Sequence, residues 1–157
     1  MTDTDSAWLS RAVELAEANV GEGGGPFGAV VVRDGEVVGI GQNRVTRDLD
    51  PTAHAEVVAI RRACRELGDF SLTGCALYSS CEPCPLCLAA ALWARLDRVT
   101  YAAGRDDAAR GGFDDRHFYD LLDQDRASWP MPVTHVDVPG SLTPFERWLA
   151  TPDRARY

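Results

Sequence analysis

Two short motifs contain residues that could bind a metal ion and move protons. The first is His54-Ala55-Glu56, and the second is Pro83-Cys84-Pro85-Leu86-Cys87. Imidazole nitrogen and thiolate sulfur are ligands that zinc prefers, and a catalytic zinc site keeps three protein ligands and one position for water. We therefore predict that His54, Cys84 and Cys87 bind one zinc ion. Glu56 is left over from this ligand set, so it is free to act as a general acid and base.

The positions of these residues at helix starts explain how they could meet. Cys84 and Cys87 are three residues apart, so they share one helix face, and cysteines in a first turn have lowered pKa values. His54 and Glu56 can both reach a metal only if it lies over the N-terminal end of their helix. The sequence Asp50-Pro51-Thr52 predicts such a start. Two helix N-termini would then meet, and their partial positive charge favours thiolates.

A structural zinc site and a redox-active Cys-x-x-Cys pair are the alternatives to catalysis. A structural site requires a fourth ligand. Cys81 could supply it, although it precedes Pro83 and lies outside the helix start. A zinc-stabilised binding module without catalysis has no use for Glu56, and this residue therefore favours an enzyme.

Apolar periodicity and turn signals predict the elements that position these motifs. A first helix begins at Asp5 or Ser6, residues 21–25 form a flexible loop, and Asp34-Gly35 joins strands at 29–32 and 37–40 in a hairpin. Further helices are predicted to begin at residues 50, 84, 115 and 143, and further strands to cover residues 76–79, 98–102 and 133–136. This order indicates one domain over residues 1–157, an α/β fold with a three-layer α/β/α sandwich and a central mixed five-stranded sheet.

Composition excludes several classes of partner. The 157 residues carry a net charge of −8, which argues against a nucleic-acid surface. No stretch is long and apolar enough to be expected to cross a membrane. The acidic start, Met1-Thr2-Asp3-Thr4-Asp5, is unlike a signal peptide, and three of the five cysteines cluster within seven residues. We therefore expect a cytoplasmic protein that binds neither nucleic acid nor membrane.

Stretches along nearly the whole chain match one family. They are Pro26-Phe27-Gly28-Ala29-Val30, Gly41-Gln42-Asn43, Asp50-Pro51-Thr52-Ala53-His54-Ala55-Glu56, Cys81-Glu82-Pro83-Cys84-Pro85, Trp93-Ala94-Arg95, Tyr101-Ala102-Ala103, Gly112-Phe113-Asp114-Asp115, Pro144-Phe145 and Tyr157. On these residues the chain resembles the bacterial guanine deaminases, a family of the cytidine deaminase-like zinc deaminase superfamily. The zinc motif is common to zinc base deaminases, whereas Gly-Phe-Asp-Asp and the terminal tyrosine are more selective.

The resemblance implies hydrolytic deamination of guanine to xanthine and ammonia, with zinc hydroxide as the nucleophile and Glu56 as the proton shuttle. It also implies six substrate contacts: Asn43 bonds the purine, Asp115 pairs with its donor edge, Phe27 and Trp93 line the pocket, the Ala55 N–H faces the attacked region, and Tyr157 closes the pocket. Other interpretations remain for these residues. Asn43 could be a turn residue, Asp114 could replace Asp115, Phe27 and Trp93 could be core residues, and Tyr157 could be a frayed end.

The resemblance further implies a homodimer in which residues 140–157 are swapped between subunits. Deaminases of related amines are the alternative enzymes: guanosine, an aminotriazine, cytosine or adenosine in tRNA. The acidic composition argues against the tRNA enzyme, which must bind a polyanion. The C-terminal stretch resembles the purine branch and argues against cytosine. Small changes in a pocket decide between the remaining amines.

Overall fold

The structure is a computed structural model that describes residues 3–156. The chain divides into two compact units, Met1–Arg116 and His117–Tyr157. The first unit contains both predicted metal-binding motifs.

The first unit alternates helices with strands. The helices are α1 (Asp3–Gly21), α2 (Val45–Asp48), α3 (Ala55–Leu67), α4 (Pro85–Trp93) and α5 (Arg105–Arg110), and the strands are β1 (Gly28–Arg33), β2 (Glu36–Gln42), β3 (Cys75–Cys81) and β4 (Arg98–Ala103). The hairpin around Asp34-Gly35 is confirmed: both residues adopt positive φ, which matches the twist of a two-residue turn.

The strands form one mixed sheet in the order β2-β1-β3-β4. β1 pairs antiparallel with β2 and β3, whereas β3 and β4 are parallel. The prediction of five strands is wrong, because residues 133–136 form no strand in the structure. Their β-branched side chains favour a strand only where a neighbouring strand pairs with them, and β-propensity depends strongly on that context.

Helices cover both faces of the sheet, as predicted. Ala29 and Val31 of β1 pack in one apolar cluster with α3 and α4 residues. Val30 and Val32 point the other way and pack with Leu9 and Leu15 of α1. Alternate residues of a strand face opposite sides, and the burial of all four valine and alanine side chains confirms the three layers.

Glycines on β2 bring α3 unusually close to the sheet. A Cβ on Gly41 would lie 1.9 Å from the Ala55 carbonyl oxygen, and a Cβ on Gly39 would lie 2.5 Å from that of Ala59. Only glycine permits such an approach of strand to helix. Ala55 is the first residue of α3. Its contact with Gly41 therefore fixes the position of the helix N-terminus, where His54 and Glu56 lie.

The start of α3 differs from the sequence prediction. The helix begins at Ala55, not at residue 50. The Asp50 side chain instead accepts hydrogen bonds from the Thr52 backbone N–H at 2.8 Å and from its hydroxyl at 2.7 Å. This local turn competes with helix formation, so residues 50–54 lead into α3 as a loop.

The second unit has no buried residue among residues 117–156. It contains most of α6 (Arg116–Leu122), a 3-10 turn (Arg126–Ser128) and α7 (Thr143–Ala150). Phe118, Leu122, Phe145 and Leu149 are at least half exposed in the isolated chain. No helix in the described part of the chain meets the length and hydropathy needed to span a membrane.

Candidate active site

The two motifs meet in one cluster. The Sγ atoms of Cys84 and Cys87 are 3.7 Å apart, and the Nδ1 of His54 lies 3.5 Å from the first and 3.4 Å from the second. Among the described residues, these three form the group of His, Cys, Asp and Glu side chains with metal-binding spacing.

The spacing of these atoms fits zinc. Tetrahedral zinc with Zn–S bonds of about 2.3 Å and Zn–N bonds of about 2.0–2.1 Å places two sulfurs about 3.8 Å apart and a sulfur and a nitrogen about 3.6 Å apart. The three distances in the cluster agree with these values to within about 0.2 Å. The cluster therefore could bind zinc with little rearrangement, and three protein ligands leave one position of the tetrahedron for water.

Both helix starts lie at the cluster, as predicted. His54 is the N-cap of α3, and Cys84 is the N-cap of α4, with Pro85 in the first turn. Unpaired N–H groups at these ends carry partial positive charge. The helix ends therefore stabilise thiolates and any anion that develops beside the metal.

The two cysteine sulfurs hydrogen-bond to each other. This contact lowers the pKa of Cys84 to about 4 and raises the pKa of Cys87. The hydrogen bond between the His54 ring and the Cys84 sulfur raises the pKa of His54. A divalent cation supplies the charge that lets both sulfurs ionise together.

Glu56 reaches the cluster from the first turn of α3. Its Oε2 lies 3.3 Å from the Cys87 Sγ, and the residue is 5% exposed. Burial raises the pKa of the Glu56 carboxyl group. A carboxyl group beside a metal site can accept a proton and give it back, as a general acid and base does.

Ser79 is a site residue that the sequence analysis missed. Its hydroxyl donates to Glu56 Oε1 at 2.9 Å, and the side chain is 1% exposed. The available signal was a pair of serines at the end of an otherwise apolar strand, directly before the cysteine motif. Polar side chains in a buried strand require a partner, and here the partner is Glu56.

Cys81 lies near the cluster but outside the ligand group. Its Sγ contacts the Gly104 carbonyl oxygen at 3.8 Å. Burial raises the pKa of Cys81 to about 11, so it stays a neutral thiol. In a structural zinc site, Cys81 would have to be the fourth ligand. Its sulfur instead contacts the Gly104 carbonyl oxygen and is not part of the ligand group.

Asn43 and Phe27 lie at the same end of the sheet. The Asn43 N–H donates to the Phe27 carbonyl oxygen at 3.0 Å, and the next residue, Arg44, donates to the Ala53 carbonyl oxygen at 2.9 Å. This segment therefore runs beside the loop that leads to His54. Ala55 is fully buried at the start of α3.

The two adjacent aspartates have different environments. Asp114 forms an ion pair with Arg116 at 2.6 Å. Asp115 Oδ1 is buried and has no hydrogen-bond partner among the described residues. Burial, followed by the charge of the nearby Cys84 thiolate, raises the pKa of Asp115. The Phe27 and Phe113 rings, 4.9 Å apart at 86°, bring this segment to the same end of the sheet.

The remaining two predicted contact residues are Trp93 and Tyr157. Trp93 is the last residue of α4 and is 64% exposed, with the Arg95 guanidinium 5.8 Å from its ring centroid. The core interpretation of Trp93 is therefore wrong. Tyr157 lies outside the described residues.

Comparison with known proteins identifies relatives of this site. The model of the cytidine and deoxycytidylate deaminase zinc-binding region matches residues 2–103. Guanine deaminase of Bacillus subtilis (strain 168) is 49% identical over 151 residues, covering 96% of this chain and 97% of the relative. The X-ray structure of B. subtilis guanine deaminase matches with a TM-score of 0.94 and 47% identity, covering 100% of this chain and 99% of the other.

More distant relatives share less of the chain. The structure of guanine deaminase from Nitrosomonas europaea matches at 34% identity with a TM-score of 0.67, covering 69% of this chain and 64% of the other. A tRNA-specific adenosine deaminase of Aquifex aeolicus (strain VF5) is 40% identical over 96 residues, covering 61% of this chain and 64% of the relative. The likeness to the purine-base enzyme of B. subtilis thus extends through the C-terminal unit, and the chain belongs to the cytidine and deoxycytidylate deaminase zinc-binding family as a homologue of bacterial guanine deaminase.

Proposed function

We propose that the protein hydrolyses guanine to xanthine and ammonia. The observation that carries this proposal is the His54, Cys84 and Cys87 cluster with the Glu56 carboxylate against it, in a chain that is 49% identical to a guanine deaminase along nearly its full length. When bound to these three residues, zinc supplies a water whose pKa falls to about 7, the source of the incoming oxygen.

Glu56 moves the protons of this reaction. Its carboxylate accepts a proton from the attacking water and passes it to a ring nitrogen of guanine. It then transfers the second proton to the 2-amino group as the carbon–nitrogen bond breaks, so that ammonia leaves and a carbonyl remains. The raised pKa of Glu56 and the Ser79 hydrogen bond support this role, since they favour a carboxyl group that exchanges protons from one position.

Polar groups around the cluster would recognise the purine. Asp115 accepts hydrogen bonds from the donor edge of the base, and the buried Oδ1 without a partner supports this assignment over Asp114. Asn43 also hydrogen-bonds the purine. Its Oδ1 accepts from the Val45 N–H at 3.3 Å, and no described residue accepts a bond from its Nδ2. A site with such placed groups discriminates against bases that leave them unpaired.

The remaining contacts complete the pocket. Phe27 covers one face of the base, braced by the Phe113 ring. The Ala55 N–H, at the first position of α3, faces the attacked region, where a helix N-terminus has an unpaired donor. Trp93 lines the pocket with Phe27, and Tyr157 closes it in this proposal.

The active form is proposed to be a homodimer in which residues 140–157 are exchanged. The apolar residues Leu142, Phe145 and Leu149 are all exposed in the isolated chain, and an apolar surface of this kind is typical of a protein–protein interface. Exchange of the C-terminal segment would bury it and deliver Tyr157 to the neighbouring site. All five cysteines are free thiols, which supports a reducing compartment such as the cytoplasm.

The substrate assignment is tested by ammonia release from a panel of amines. The zinc-loaded protein is assayed with guanine, guanosine, adenine, cytosine, an aminotriazine and adenosine in a tRNA anticodon stem. We expect guanine to have the highest kcat/KM. Preference for another amine would reject the substrate, while inactivity towards the whole panel would favour the zinc-stabilised binding module.

A further inference from the structure

Asn19 is a fully buried polar residue near the end of α1 that belongs to neither metal motif. Its side-chain Nδ2 donates two hydrogen bonds to main-chain carbonyl groups. One goes to Gly25 at 2.7 Å, and the other goes to Asn43 at 2.8 Å. A single amide group thus joins the glycine-rich loop to the residue that is proposed to bind the purine.

The loop held by Asn19 lies directly against Asn43. A Cβ on Gly25 would be 3.1 Å from the Asn43 Cγ and Oδ1 atoms. The Phe27 N–H donates to the Gly25 carbonyl oxygen at 2.8 Å, and the Asn43 N–H donates to the Phe27 carbonyl oxygen at 3.0 Å. These hydrogen bonds connect the loop residues Gly25 and Phe27 to Asn43, the residue that follows β2. The sequence predicts a flexible loop over residues 21–25, whereas in the structure Gly25 and Phe27 are hydrogen-bonded into a cluster with Asn43.

Arg47 fixes the orientation of the Asn19 amide. Its guanidinium donates to Asn19 Oδ1 and, 2.7 Å away, to Glu22. With Oδ1 occupied in this way, both hydrogens of Nδ2 must face the carbonyl groups of Gly25 and Asn43. A side chain that supplies two donors and one acceptor in this space is required, and aspartate or leucine supplies no donor.

We propose that Asn19 is a positioning residue that holds Asn43, and with it one wall of the purine pocket, in the geometry that binds substrate. Asn19 acts through the main chain of Gly25 and Asn43 and does not touch the base. This inference rests on the proposed function, because Asn43 is a substrate contact only in a deaminase of this kind.

The test combines two single variants and their double variant. Asn19→Ala removes the side-chain donor to the Asn43 carbonyl oxygen and one of the two donors to the Gly25 carbonyl oxygen, which keeps the Phe27 N–H. The loop then loses its link to Asn43 through Asn19. Misplacement of a substrate-contacting group can cost about 10- to 100-fold in rate, so we expect kcat/KM for guanine to fall at least about tenfold. If Asn19 works through Asn43, the same substitution in an Asn43→Ala background should change kcat/KM by no more than about twofold.

Tyr78→Phe is the matched control. The Tyr78 hydroxyl also joins the sheet to α1 by a buried bond, to Asp5 Oδ1 at 2.8 Å, but it lies in a separate cluster with Arg98. We expect Tyr78→Phe to lower the melting temperature and to leave kcat/KM within about twofold of the wild-type value. Zinc content, measured for every variant, should stay at one ion per chain.

A second variant covers the case in which Asn19→Ala does not fold. Arg47→Met removes the bond to Asn19 Oδ1 and the ion pair with Glu22, and it leaves both Asn19 Nδ2 bonds in place. We expect a smaller fall in kcat/KM, accompanied by faster hydrogen–deuterium exchange in residues 22–28 and 43–46 only. Equal exchange in the wild-type and Arg47→Met proteins would overturn the proposal.

The kinetic outcomes separate this inference from the substrate assignment. Additive effects of Asn19→Ala and Asn43→Ala, or a kcat/KM for Asn19→Ala equal to that of Tyr78→Phe, would reject Asn19 as a positioning residue. If the wild-type protein turns over another base of the panel and not guanine, the substrate assignment fails. The same set of variants is then measured on that base, with the same two outcomes.

Discussion

The Glu56 carboxylate is held from two sides. Ser79 donates to Oε1 from the end of β3, and the Cys87 sulfur approaches Oε2 from α4. Because the Ser79 bond fixes Oε1, the other oxygen, Oε2, is directed at the His54, Cys84 and Cys87 cluster. The orientation of the general acid and base therefore depends on the strand as well as on the metal ligands.

Ser79→Ala tests this orientation. Hydrogen bonds to charged groups contribute about 1.5–3 kcal/mol, so we expect kcat to fall about 10- to 100-fold with one zinc ion still bound. Ser80→Ala is the matched control, because Ser80 is buried beside it but accepts from the Gly28 N–H at 3.0 Å. A kcat for Ser79→Ala equal to that of Ser80→Ala would show that Ser79 does not orient Glu56.

Single cysteine variants test the ligand set. Cys87→Ala removes one of three ligands, and we expect zinc, measured by elemental analysis, to be lost together with ammonia release. Cys81→Ala should keep one zinc ion per chain, because Cys81 is a neutral thiol outside the ligand group. If Cys81→Ala lost zinc and Cys87→Ala kept it, Cys81 and not Cys87 would be the metal ligand.

Chelation of zinc from the wild-type protein should lower its melting temperature, because a bound metal stabilises the folded state.

At the scale of elements, the close packing of α3 on β2 determines where two of the functional residues lie. His54 and Glu56 are at the end of α3 that approaches the sheet at Gly41. The contact is between backbone atoms, so no side-chain rotation can accommodate a larger residue. Packing at this contact and metal binding are therefore coupled.

Gly41→Ala should disturb both properties. The added methyl group would overlap the Ala55 carbonyl oxygen, and overpacking of this kind costs about 1–3 kcal/mol. We expect a lower free energy of unfolding in urea and a weaker affinity for zinc, because the start of α3 must move. Gly21→Ala provides the control, since nothing lies within 4 Å of its Cβ position. Equal zinc affinity in the two variants would exclude the coupling.

The sequence predicted elements better than their boundaries. Residue type and short spacing are sufficient to predict that Cys84, Cys87 and His54 come together as a group that could bind zinc, because zinc accepts few ligand sets. The start of α3 was predicted too early because the Asp50 and Thr52 side chains form a local turn, which resembles a helix start in sequence. Ser79 and Asn19 were missed because their partners are 23 and 24 residues away along the chain.

At the scale of the whole molecule, the two units differ in how they are stabilised. The first unit buries residues on both faces of a sheet. Residues 117–156 bury none, although α7 carries a row of large apolar side chains. The predicted fifth strand also falls in this unit, where sequence propensity alone could not reveal that residues 133–136 lack a strand partner.

Sedimentation equilibrium tests the proposed dimer. We expect a mass twice the 17.1 kDa of the chain. Phe145→Asp places a charge on the apolar side of α7 and should shift the protein towards the monomer with loss of activity. Glu146→Ala changes a polar residue on the same helix and should leave the dimer intact. A monomeric wild-type protein with full activity would reject the exchange of residues 140–157.

Glu56 is proposed to move the protons in a zinc-dependent deamination of guanine. The most direct measurement is xanthine formation from guanine by the wild-type protein and by Glu56→Gln, with zinc content determined on the same samples. We predict that both proteins hold one zinc ion per chain and that the variant is slower by at least about 100-fold, the contribution typical of general acid–base catalysis. Xanthine formation at the wild-type rate by zinc-loaded Glu56→Gln would contradict the account.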